Sequence, residues 1–328
     1  MSTRAPAAWE TRRPLLPELA LITATIAFGS TFKLVQNALL DVTPVGYMLL
    51  RFGVAGLVLA PFAFRNGWRN REPGAERVDS GARSDDFRSF VKAGIVFGAI
   101  GWIGYWFQNT GLQHTTTSDS AFITGLFVVF TPIVETIARR RFPNWLVIGA
   151  VSMAAVGLFL LTGARFGLGR GNALTLGCAA AFGVWIYVGG RLANRFDAIA
   201  LVFLEMVTFT ALSVPLVVVD GMGRMTGRVW LAVGVTGVLC SALGFTLQLW
   251  GQRRIEPARA AVILLFEPVV AGFVGYAVGE RLGVKGYVGA GVILGSILVA
   301  EAPSWVLTAR SSNGETDGRV PTTGDQPA

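Results

Sequence analysis

Histidine is nearly absent from this chain of 328 residues, with one copy, and cysteine occurs only twice. His114 alone cannot supply the several imidazoles of a zinc site. Cys178 and Cys240 both lie inside apolar runs, where they read as small core residues and imply neither a disulfide framework nor a metal site. Charge is scarce as well: Asp, Glu, Lys and Arg make up 15% of the chain against 52% apolar residues, which excludes an ordinary soluble domain. No GxxxxGKS or GxxxxGKT stretch occurs, so a nucleotide-cradling loop is excluded. No A-x-A cleavage pattern is evident around the first apolar run, which therefore reads as a retained span.

What the chain has in abundance is apolar runs of about 20 residues, the length that crosses a hydrocarbon core. Ten are expected, near 18–37, 44–64, 90–112, 118–138, 145–162, 172–193, 197–219, 229–251, 257–279 and 286–301. A tail, 1–17, precedes them; residues 65–89 form one long polar loop; and 302–328, rich in Ser, Thr, Gly and Asp, reads as a disordered tail. Arginine placement sets the orientation. With the N-terminus inside, 20 of the 28 basic residues fall in cytoplasmic segments, which places both termini in the cytoplasm of a multi-pass cell-membrane protein. The net charge of +8 is thereby explained by the bilayer, and nucleic acid is not an expected partner.

The two halves repeat. Ala27-Phe28-Gly29 falls on Ala181-Phe182-Gly183, and Pro61 on Pro215. Gly94, Gly104, Gln108 and Gly111 fall on Gly234, Gly244, Gln248 and Gly251, and Gly157 falls on Gly295. Five spans per repeat send the second half into the membrane from the other side. The expected fold is therefore an all-α integral membrane protein of ten transmembrane helices, arranged as two inverted five-helix repeats, 18–162 and 172–301, the layout of an alternating-access transporter.

Two apolar helices carry a proline near the middle, at Pro132 and Pro268, and proline removes a backbone donor, so each is an expected helix break. Glu267 precedes the second. An acid there is costly in lipid, so it either faces a substrate pathway or bonds backbone freed by the proline. Gln108 and Gln248 stand at equivalent repeat positions between glycines, as interhelical hydrogen bonds or as neutral groups for a substrate. Lys33 lies towards the outer end of the first span, where it either snorkels or meets an anion. Tyr105 and Trp185 belong to an aromatic pool that packs or lines a cavity. Arg51 and Glu205 are repeat equivalents, but helix rise separates them by about 10 Å in depth, which argues against a pair. Glu135 is expected to pair with Arg139 on the next turn. One acid, cations nearer the outer side, two amides and aromatics suit a small zwitterion, its ammonium towards Glu267 and its carboxylate towards Lys33 or a half-helix N-terminus.

AFGSTF in the first run, LLRF in the second, the FTP and FEP helices and VGERL before the last run resemble the ten-span, EamA-type permeases of the drug/metabolite transporter superfamily. The likeness covers nearly all of 18–301 and is densest in FEPVVAGFVGYAVGERL. The first half departs from it, with Thr131 where the second has Glu267 and Arg139-Arg140-Arg141 in place of the Gly-Glu pair. The resemblance implies a secondary transporter, often an exporter of amino acids or other small metabolites, without a cofactor and not an enzyme. A gradient, with the proton as one coupling ion, is the implied driving force. The alternatives are a multidrug or cation exporter, and a membrane sensor or assembly protein that keeps the fold without transport. An integral-membrane enzyme finds little support, because the acids of 65–92 are mixed with arginine.

Overall fold

The structure, a computed structural model, describes the backbone of residues 15–67, 80–112, 114–115, 117–163, 169–277 and 283–314. The tail up to residue 14, the loop centre 68–79, the VGERL motif at 278–282 and residues 315–328 lie outside the described residues, as do the side chains of Phe32, Asn66, 80–85, Leu112, 117–118 and 301–314.

Among the described residues every regular element is helical, and β pairing is limited to one isolated bridge between Val42 and Gly223. Nine stretches of the described residues are long and apolar enough to cross a membrane, with mean hydropathies between 1.4 and 2.2. The first is α1 (Leu16–Ser30) with α2 (Phe32–Ala38); α3 (Pro44–Asn66) and α4 (Ser80–Leu112) follow. The fourth is split into α5 (Thr117–Gly125) and α6 (Phe127–Arg139), and α7 (Trp145–Thr162) closes the first half. The second half opens with α8 (Arg170–Ala193) and α9 (Ala198–Asp220). Its next stretch joins α10 (Gly227–Val235), a π-helical segment (Thr236–Gly244) and α11 (Phe245–Gln252). The ninth is split into α12 (Pro257–Leu264) and α13 (Phe266–Ala277). The tenth apolar run, Val284–Ala300 of α14 (Val284–Gly314), is shorter, about 25 Å by helix rise against a core of about 30 Å.

The sequence repeat reappears in how helices begin and end. α3 starts after Thr43, whose hydroxyl accepts from Gly46 N–H at 3.1 Å; α9 starts after Asp197, whose carboxylate accepts from Ile199 and Ala200 N–H at 3.0 and 3.1 Å. These N-caps satisfy donors that the first turn leaves without partners. Both helices have 23 residues and contain a proline, Pro61 or Pro215. Both end at a glycine of positive φ, Gly67 at 77° and Gly221 at 74°, a conformation other residues adopt at a cost.

Contacts between the halves are reciprocal. A methyl group placed on Gly104 of α4 would lie 2.5 Å from the Phe182 ring of α8, and one on Gly244 would lie 2.6 Å from the Phe28 ring of α1. Gly111 approaches Gly171 and Thr175, while Gly251 approaches Pro17 and Leu21. Gly29 of α1 packs on Glu267 and Val270 of α13, as Gly183 of α8 packs on Phe130 and Thr131 of α6. In each case the repeat-equivalent glycine meets the repeat-equivalent partner across the molecule. Glycine lets the backbones approach where any side chain would collide. The main core spans both halves, with Phe52, Phe97 and Leu158 of the first packed in the same cluster as Phe209, Leu249 and Ile293 of the second.

Three expectations need correcting. The polar loop is shorter than 65–89, because α4 begins at Ser80, inside it. Asp86 pairs with Arg195 at 3.5 Å, and the buried Phe90 ring packs edge-on against Phe196 at 5.3 Å, so this charged turn is held against the α8–α9 junction. At the other end α14 continues past Ala302 to Gly314, where disorder was expected. The third concerns Pro132, which lies within α6 and not at a break.

Candidate functional site

Among the described residues four spans are interrupted, and the interruptions meet. Thr31 separates α1 from α2, Leu126 separates α5 from α6, and Leu265 separates α12 from α13. Each closes the preceding helix with a tight bond to the residue three before it: Thr31 N–H to Phe28 at 3.3 Å, Leu126 to Ile123 at 3.1 Å and Leu265 to Val262 at 3.2 Å. The π-helical segment is the fourth, a form that frequently marks functional positions in helices.

Around these breaks lies a cavity of about 220 Å³. Phe28 and Thr31 come from the first break, Thr124 and Phe127 from the second, Leu264 and Glu267 from the third. Phe245 and Gln248 follow the π-helical segment; Arg51, Tyr105, Gln108 and Trp185 enter from the continuous helices α3, α4 and α8. Of the six binding residues expected from sequence, Glu267, Gln108, Gln248, Tyr105 and Trp185 are thus brought to one cavity. Lys33, half-buried in α2 between cavity-lining Thr31 and Val35, is not part of the cavity's described lining.

Glu267 sits in the first turn of α13, where the helix dipole favours an anion. Arg51 lines the same space, its Nε donating to Ser241 Oγ at 2.7 Å in the π-helical segment. Among the described residues no ion pair joins Glu267 to Arg51, and both line the cavity. Gln108 Nε2 donates to Thr124 Oγ1 at 3.3 Å, so this amide is an interhelical bond and a cavity wall at once. Tyr105 is braced edge-on by Phe52, Phe182 and Phe209 at 5.2–5.7 Å.

Two residues of this site carry more than sequence reasoning gave them. Arg51, one of the two outer-side cations of the expected cavity, is also bonded to Ser241 of the π-helical segment. Glu205, noticed only as an unsuitable partner for Arg51, is fully buried and accepts from Trp185 Nε1 at 2.7 Å. The Trp185 ring also stacks on Phe97, with centroids 5.5 Å apart and planes 7° from parallel. Trp185 is therefore a wall fixed from behind by a carboxyl group. An acid in the middle of an apolar run was the available signal. Glu135 pairs with Arg139 at 3.2 Å as expected, and its other oxygen accepts from Ala258 N–H at 3.3 Å, capping α12. Among the described residues no group of three or more His, Cys, Asp or Glu could hold a metal ion.

The two prolines part company. Pro268 is in the first turn of α13, where its missing N–H costs nothing and where it leaves Leu264 without an i+4 donor. Pro132 lies beyond the first turn of α6 and lines an apolar groove with Ile133, Phe142 and Val147, away from the cavity. Pro268→Ala restores a donor that can join α12 to α13. It should slow transport about tenfold, the shift in equilibrium that one new backbone bond of ~1.4 kcal/mol can bring. Pro132→Ala should leave transport intact and raise the melting temperature, since proline in a helix interior costs about 3 kcal/mol. Equal rates for the two variants in a vesicle assay would defeat this reading of the α12–α13 break.

Known proteins agree with this architecture. The model of the EamA-like transporter family matches twice, over residues 15–163 and 169–301. Two relatives from Archaeoglobus fulgidus, each described as an uncharacterized transporter, are 29% and 22% identical; the alignments cover 87% and 86% of this chain and 85% and 95% of theirs. A crystal structure described only as that of a protein superposes with a TM-score of 0.71 at 20% identity, over 90% of this chain and 98% of its own, and shares the fold. With apolar helices throughout and the family model matched across both halves, the chain is a multi-pass membrane protein that belongs to the EamA-like transporter family.

Proposed function

We propose that this chain is a secondary transporter of small, amino-acid-like zwitterions, working by alternating access around the central cavity and in the direction of export. The observation that carries the reading is the meeting of three helix breaks and a π-helical segment at one cavity whose described lining holds one acid, Glu267, and one arginine, Arg51. Discontinuous helices from two repeats commonly build transporter sites. A zwitterion satisfies both charges at once, ammonium to Glu267 and carboxylate to Arg51, while the rings of Phe28, Phe127 and Phe245 suit an apolar side group. A lipophilic cation, the alternative substrate, would leave Arg51 repelling it.

The halves are proposed to be inverted repeats of five spans, with α14 supplying the tenth. The reciprocal glycine contacts support this, because a pseudo-two-fold axis in the membrane plane generates such pairs. The arginine distribution supports a cell-membrane protein with both termini on the cytoplasmic side. The absence of a nucleotide loop from the sequence leaves a gradient as the energy source, and a proton is the proposed coupling ion, with Glu267 the titratable group at the cavity.

Two measurements test these proposals. A reporter fused after Ala302 should report cytoplasmic and one inserted between Arg165 and Arg170 outside; both on one side would sink the ten-span arrangement. Purified protein in liposomes preloaded with mixed amino acids should show counterflow. No counterflow with any metabolite mixture would favour a sensor or assembly protein that has kept the fold.

A further inference from the structure

A second polar pocket, of about 200 Å³, lies where α6, α8 and α11 end and α12 begins. Four arginines from three places in the chain converge on it: Arg139, Arg191, Arg253 and Arg254. The one acid in its described lining is Glu256. Arg139 is partly neutralised by Glu135 at 3.2 Å, and Arg191 donates to Tyr187 OH at 3.0 Å, a neutral partner. Gln252, 3% exposed, is part of the wall, and its amide Nε2 has no hydrogen-bond partner among the described residues. The N-terminus of α12 is not itself the attraction, since Glu135 already accepts from Ala258 N–H.

Helix C-termini and the cytoplasmic face each favour arginine singly. Neither explains why arginines outnumber acids in the lining of one concavity, an excess of like charge that a further anion relieves. Guanidinium forks match tetrahedral oxyanions, and the pocket lies at helix ends, the level of lipid headgroups. We propose that this pocket binds a phosphate-bearing anion, either the headgroup of an anionic phospholipid or a soluble phosphate. It is separate from the central cavity and independent of what the cavity carries. An anion there ties the end of α8 to the turn that launches α12, the first part of the broken helix that leads to Glu267.

Thermal melting of the purified full-length protein in neutral detergent tests this, with added phosphatidylglycerol, phosphatidylcholine or inorganic phosphate. A rise with phosphatidylglycerol but not phosphatidylcholine or free phosphate identifies the lipid. A rise with inorganic phosphate alone identifies the soluble source. Titrating the shift gives an apparent affinity. In R191Q/R254Q it should weaken about 30-fold, at roughly fivefold per basic residue near an anionic headgroup. R140Q/R141Q removes the same charge from exposed positions beside the pocket and should leave the affinity unchanged. No rise with either phosphate probe, or equal weakening in both double variants, overturns the proposal. Should R191Q/R254Q fail to fold, Arg254→Lys decides, because it keeps the charge and loses the fork: weaker binding supports the site and unchanged affinity refutes it.

Discussion

Glu267→Gln should abolish uptake of a zwitterionic amino acid into everted vesicles while the protein still folds and melts as wild type does. Glutamine keeps the size of the side chain and most of its hydrogen bonding, so the change isolates the charge. A charge-assisted bond from a substrate ammonium is worth about 2 kcal/mol, and its loss should weaken binding at least about thirtyfold. The substitution also leaves Arg51 as the charge facing the cavity, which further disfavours a cationic group. The competing role for Glu267 is electrostatic support of the α13 N-terminus. That role predicts a different result: a fall in melting temperature corresponding to about 0.3–1 kcal/mol, with transport preserved. Full activity in the variant would therefore make Glu267 a structural residue and remove the acid from the zwitterion model.

Much of the architecture was legible because hydrocarbon imposes simple constraints. Each span needs about 20 apolar residues and internally satisfied backbone, so Thr43, Pro44 and Asp197 at span starts and Gly67 and Gly221 at span ends mark boundaries by their chemistry. The mid-span polar residues Glu267, Gln108 and Gln248 reach one cavity because a polar group in lipid must face protein or water. The breaks were harder to place. A proline announces a missing donor, but helix α6 absorbs Pro132, and the chain instead breaks at Leu126, which carries no signal of its own. Thr31 is similar: its hydroxyl bonds back to the Ala27 and Phe28 carbonyls and lies 3.0 Å from Cys240 Sγ, a contact between residues 209 positions apart. The π-helical segment has no proline either, and its pairings, Arg51 with Ser241 and Tyr47 with Thr236, exist only once α3 is packed against it. The helical stretch from Ser80 was hidden for another reason, because hydropathy falls wherever a helix leaves the bilayer, whether or not the helix ends there.

Arg51→Gln should invert the preference for a free carboxylate. Its Nε donates to Ser241 Oγ at 2.7 Å, which anchors the guanidinium in the cavity wall. Wild type should therefore carry an amino acid well and the carboxamide of the same amino acid poorly, since the amide keeps the ammonium but presents Arg51 with no anion. Removing the guanidinium costs the acid about 2 kcal/mol, roughly thirtyfold, and relieves the amide of repulsion. The ratio of the two rates should then fall by about that factor or more. Glu267→Gln, by contrast, should reduce both substrates together, because both depend on the ammonium. The two variants thus separate the two ends of the substrate, and a general loss of folding cannot imitate the pattern. Arg51→Lys supplies the internal control: it retains a cation but not the fork, so its ratio should lie between those of wild type and Arg51→Gln. An acid-to-amide ratio unchanged in Arg51→Gln would mean that no carboxylate meets Arg51, and the substrate would have to be sought among cations or neutral molecules held by Glu267 and the aromatic walls.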